Sequence, residues 1–176
     1  MPKFRVPVED YKFLFKHVFD MEANYKSLDC ADDFSVDILE AILEEAAKFS
    51  ENELAPLYQS GDEEGCSLKD GVVTTPSGFK EAYTKFIEGG WTSLTGEPDL
   101  GGQGLPSSVS LAVNEMLTTA NWAWAMYPGL SEGAVATLES HGTDQQKKDY
   151  LPKLIDGKWS GTMCPVSYTH LRAHET

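Results

Sequence analysis

The chain has 176 residues, 41% of them apolar and 24% charged, with 28 acids against 14 bases for a net charge of −14. That length supports one domain with a real hydrophobic core, and the acidic balance argues against nucleic acid or an anionic membrane as a partner. No apolar run approaches the roughly 20 residues that cross a bilayer, MPKFRVPVEDY lacks the apolar stretch of a signal peptide, and Cys30, Cys66 and Cys164 form no CxxC pair, so a reducing, cytoplasmic setting is expected.

From the amino terminus, Tyr11, Leu14, Phe15, Val18 and Phe19 recur at helical spacing and predict a short amphipathic helix over Glu9 to Asp20. Glu22 to Asp33 is polar and reads as a loop. Ser35 is a suitable N-cap for a helix whose stripe is Leu39, Ile42, Leu43, Ala46 and Phe49, running to about Glu53, or to Leu57 with a kink at Pro56. The turn-rich stretch that follows holds Asp70-Gly71 between short β-favouring runs, which predicts a small hairpin. Thr75-Pro76 opens a further helix with Phe79, Ala82, Tyr83, Phe86 and Ile87 on one face, stopped by Gly89-Gly90.

Beyond the glycine-rich loop TGEPDLGGQGLP, the stretch Val109 to Met126 is apolar on nearly all sides, as expected of a buried central helix. Tyr127-Pro128-Gly129 is expected to break it, and Leu130 to His141 to restart with Ala134, Val135 and Leu138 inward. Gly142 closes that helix. Thr143 and Gln146 fit a capping box for the next one, which buries Tyr150, Leu151, Leu154 and Ile155, bends at Pro152 and ends at Gly157. Lys158 to Cys164 alternates enough to begin a strand. The fold class is mainly α, a helical bundle with one small hairpin.

Three segments in this order resemble the amino-terminal domain of the acyl-CoA dehydrogenase family: EPDLGGQGLP (Glu97–Pro106), HGTDQQKKDYLPKLIDGKW (His141–Trp159) and WSGTMC (Trp159–Cys164). APLYQSGDEEGC and DGVVTTPSGFKEAY further resemble the 3-methylthiopropanoyl-CoA dehydrogenase subgroup. The resemblance covers about residues 4 to 164 and implies a helical front domain over 1–157, including an extension over 1–34, with 158–164 opening a middle β-domain. It implies FAD as cofactor, with Met163 and Cys164 on the strand that meets the flavin. It implies an acyl-CoA substrate near Gly101, Gly102, Trp124, Ala125 and Met126, a separate electron-transfer acceptor, and a homo-oligomer. Met and indole side chains suit a thioether-bearing acyl group. Core packing is the plain alternative for each of these residues, with one tryptophan of the Trp122/Trp124 pair inside and the other at the pocket.

After Cys164 the family pattern gives way to PVSYTHLRAHET, and Val166 to Thr176 resembles a translated sequencing adapter. Residues 165–176 are therefore expected to be a non-native tail, and the chain to lack the glutamate base and to be inactive by itself. His170, His174 and Glu175 on that tail imitate a zinc motif without a third ligand. The Gly101–Gly104 loop could cradle an anion on bare amides, or could be a turn needing positive φ and close backbone approach. Ser77 to Lys80 matches a Ser-x-x-Lys spacing by chance, and Asp32-Asp33 and Asp62 to Glu64 lack calcium-loop spacing. The rival reading of the whole chain is a non-catalytic helical interaction module that binds through its acidic face or through Trp122 to Tyr127.

Overall fold

The computed structural model describes residues 3–27 and 35–162. Among them are eight α-helices and one hairpin: α1 (Val8–Phe13), α2 (Met21–Lys26), α3 (Val36–Phe49), α4 (Leu57–Glu64), β1 (Ser67–Lys69), β2 (Val72–Thr74), α5 (Phe79–Glu88), α6 (Ser107–Ala120), α7 (Trp122–His141) and α8 (Asp144–Ile155). The fold is mainly α, as the periodicity predicts.

The core lies where α3, α5, α6 and the start of α7 meet. Leu39 and Leu43 from α3, Phe86 from α5, Val109, Val113, Met116 and Leu117 from α6, and Trp124 from α7 are almost wholly buried. Each large side chain so enclosed contributes on the order of 1.5–3 kcal/mol. Phe86 meets Trp124 edge-on with ring centroids 5.3 Å apart, and Phe49 and Tyr83 flank the same indole at 6.0 and 6.2 Å. The hairpin pairs Ser67 with Thr74 and Lys69 with Val72, and its Asp70 (φ 51°) and Gly71 (φ 79°) both take the left-handed conformation that a tight two-residue turn demands.

Several local expectations give way to tertiary structure. The segment expected as one helix from Glu9 to Asp20 is α1 followed by a π turn, Leu14–Val18; Tyr11 and Phe15 pack on the core while Phe13, Val18 and Phe19 stay exposed. Within the loop expected over Glu22 to Asp33, α2 forms because Tyr25 is buried and its hydroxyl meets Ser108 Oγ at 2.5 Å; residues 28–33 lie outside the described residues. Ser35 caps α3 as expected, accepting from Ile38 N–H. That helix then widens into a π turn, Ser50–Leu54, and resumes as α4, which the turn-rich sequence had hidden. Lys158 to Thr162, the described part of the expected strand, forms no strand.

The largest correction concerns the central helix. It breaks at Asn121 and not at Tyr127 to Gly129; α7 runs straight through Pro128 to His141. Asn121 stands in an extended conformation with its Oδ1 accepting from Trp124 N–H at 3.1 Å, while its Nδ2 donates to the Leu54 carbonyl at 3.2 Å. One buried amide thus caps α7 and reaches a carbonyl at the end of the π turn.

Candidate functional site

The Gly101–Gly104 loop is folded onto its own neighbours. Gly101 N–H donates to Pro98, Gly102 to Glu97, Gln103 to Ser93, Gly104 to Gly96, and Leu105 to Leu94, so residues 101–105 lie back along 93–98. Gly101 takes φ 93°, and a Cβ on Gly102 would fall on the Gly96 carbonyl. With its amides donated to the protein, the loop has none left to cradle a phosphate. Gly101 and Gly102 therefore satisfy close backbone approach, the alternative that the sequence left open, and what they expose to a ligand is a bend.

The open surface is on α7. At 100° per residue, positions 122, 126, 129, 133, 136 and 140 share one face, opposite the buried Trp124, Pro128 and Ser131. Trp122 is 63% exposed and Met126 44%. At both Gly129 and Gly133 an added Cβ would meet none of the described residues within 4 Å. A glycine inside a helix costs about 0.5–1 kcal/mol relative to alanine, and nothing among the described residues requires these two. Together they leave a shallow trough of bare helix backbone beside Met126, with the exposed Trp122 further along the same face. No carboxylate occupies these face positions.

Trp124, expected at the substrate, is instead a core residue: it is fully buried and its indole N–H donates to the Phe79 carbonyl at 3.1 Å. Trp122 is the open member of the pair. Ala125 is buried at 8% exposure, and Met126 is exposed. The sequence reading missed Gly129 and Gly133, assigning the first to a helix break. The available signal was two glycines four residues apart in a stretch otherwise able to continue as helix.

Behind α7 a cleft of about 240 Å³ is lined by Ser107 and Ser110 of α6 and Ser131, Glu132, Val135 and Glu139 of α7. At Glu132, which lines the cleft, desolvation raises the carboxyl pKa, partly countered by hydrogen bonds from Asn114 Nδ2 at 3.0 and 3.2 Å. Glu139 is raised too, by desolvation and then by Glu97, and its Oε1 is buried without a hydrogen bond among the described residues.

Leaving α8, the chain turns at Gly157 and crosses the flank of α7. Trp159 N–H donates to the Lys153 carbonyl at 2.9 Å, and Lys153 Nζ lies 4.2 Å from the Trp159 ring centroid. Gly161 N–H donates to Ser131 Oγ at 3.0 Å. Ser160 and Thr162 make no main-chain hydrogen bond among the described residues. Met163 and Cys164, the expected flavin contacts, lie outside the described residues, as do His170 and His174. Among the described residues no three His, Cys, Asp or Glu side chains come together as a metal site, and no helix is long and apolar enough to cross a membrane.

Residues 37–158 match the family model for the acyl-CoA dehydrogenase N-terminal domain. Over 160 residues the chain is 38% identical to a 3-methylmercaptopropionyl-CoA dehydrogenase of Ruegeria pomeroyi, a match covering 91% of this chain and 27% of that protein. A butyryl-CoA dehydrogenase of Syntrophomonas wolfei is 29% identical over 89% of this chain and 26% of its own length. A broad-specificity linear acyl-CoA dehydrogenase of Mycobacterium tuberculosis is 30% identical over 74% of this chain and 21% of its own. The chain spans about a quarter of the length of the curated relatives it matches.

Proposed function

This chain belongs to the acyl-CoA dehydrogenase family, and from that membership we propose that its parent protein desaturates an acyl-CoA thioester between the α and β carbons, with the acyl chain laid along the trough of α7. The observation that carries the reading is the pair Gly129 and Gly133, which hold open a strip of helix surface at a cost to helix stability. Trp122 and Met126 give the trough a polarizable lining, suited to a short acyl group with a thioether sulfur. That matches the substrate in the name of the Ruegeria relative.

The family is generally FAD-dependent, and flavin, when bound, accepts the hydride from the β carbon. The chain's own fit to such a group rests on Ser160 and Thr162, whose main-chain groups lead without partners among the described residues toward Met163 and Cys164. Those two residues would present the backbone edge to the ring. A separate acceptor then takes the electrons, and assembly into a homo-oligomer completes the reading. The glutamate base that the family resemblance implies is assigned to the rest of the parent, and this chain alone is expected to be inactive.

Gly133→Leu in the full-length parent tests the proposal. The added side chain fills the trough and improves helix propensity, so catalysis of short acyl-CoA substrates should fall at least tenfold in kcat/KM. Thermal stability should hold or rise slightly. Unchanged kcat/KM in a stably folded variant would mean that the acyl chain lies elsewhere.

A further inference from the structure

The segment between α8 and Met163 crosses α7 at one place and is tied there. Gly161 sits so close that an added Cβ would be 2.6 Å from Ala134 Cβ, 3.1 Å from Ser131 Cα and 3.2 Å from the Leu130 carbonyl. Its N–H donates to Ser131 Oγ at 3.0 Å, and Ser131 is one of few buried polar side chains among the described residues, at 7% exposure. Behind this contact, Trp159 is clamped to α8 by its amide and by Lys153, and the Asp156 carboxylate accepts from Lys158 N–H at 2.9 Å. The segment therefore arrives at α7 with its position and direction already set. Leu130 and Ala134, which it covers, adjoin the trough containing Met126, Gly129 and Gly133.

We propose that Ser131 is a positioning residue: with Gly161 it forms a latch that fixes the distance between the acyl trough of α7 and the chain that continues into Met163 and Cys164. This deepens the dehydrogenase reading and rests on it. Reactions that pass a hydride between two bound groups lose rate steeply when the groups separate by even an ångström. A hydroxyl on the helix and a glycine on the crossing segment hold such a spacing better than flexible side chains would. Ser131 itself points away from the trough and touches no substrate.

Three measurements test the latch. In the 176-residue chain, amide exchange at Gly161 should quicken about five- to tenfold in Ser131→Ala, as expected for loss of one hydrogen bond; unchanged exchange overturns the bond. In the full-length parent, Ser131→Ala should lower kcat for short acyl-CoA several-fold with KM little changed, and shift the visible flavin absorption, with little change in thermal stability. Wild-type kcat and spectrum with a lowered melting temperature would reduce Ser131 to a packing role and overturn the proposal. Gly161→Ala keeps the hydroxyl but lifts the segment from Ala134, so it should produce the same kinetic and spectral change; an unaltered variant also overturns it. A wild-type parent whose flavin does not bleach with any acyl-CoA defeats the dehydrogenase reading itself, and the exchange measurement still decides whether the bond exists.

Discussion

Asn121 does the work of two residues with one amide. Its oxygen caps α7 at Trp124 N–H, and its nitrogen meets the Leu54 carbonyl at the end of the π turn. Replacement by alanine leaves a buried donor and a buried acceptor without partners, so Asn121→Ala should destabilise the chain by about 2–4 kcal/mol. Urea unfolding of the variant checks this. Near the amino terminus, burial together with the neighbouring Glu115 carboxylate pushes the Tyr11 hydroxyl up to about 12. That residue stays neutral and works as packing between α1 and the core.

Elements differ in how much of them is local. The α8 capping box is wholly so: Thr143 Oγ1 accepts from Gln146 N–H at 3.3 Å and Gln146 Oε1 accepts from Thr143 N–H at 2.9 Å, as four consecutive residues foretell. Thr143→Ala should cost about 1 kcal/mol in thermal unfolding, and Thr143→Asp should recover most of it. The Asp70-Gly71 turn is equally local. By contrast, α2 depends on burial of Tyr25, and the α6–α7 break depends on a carbonyl sixty-seven residues away in sequence. A helix apolar on nearly every side carries no local mark of where it bends, so the proline was the natural place to expect it. α7 nevertheless continues through Pro128, whose own ring is buried.

Across the whole molecule, the charge balance divides into two opposing sets. Glu22 and Glu44 are lowered by Lys26 and Lys12. At Glu51 and Asp156 burial alone would raise the pKa, but Val6 N–H with Arg5, and Lys158, respectively, outweigh it. These four contribute stability above the ordinary carboxyl range that is lost as pH falls through their lowered values. Glu132 and Glu139 run the other way. Folded, they hold protons to higher pH than in the unfolded chain, so stability declines as pH rises from the ordinary 4.5 through their raised values. Glu132→Gln removes one such site. Its urea midpoint relative to the parent chain should therefore be higher at neutral pH than near pH 4.5, and a constant difference would show that the cleft imposes no desolvation.

The sequence by itself determined the helical class, the hairpin, the caps at Ser35 and Thr143, and the family, because each is written in neighbouring residues or in short ordered motifs. Only the tertiary structure decided that Trp124 is core, that the Gly101–Gly104 amides are already taken, and that Gly129 and Gly133 face open space. Those outcomes turn on which side of a helix or loop meets the rest of the chain. A residue's own chemistry does not carry that information; the direction in which distant elements pack does.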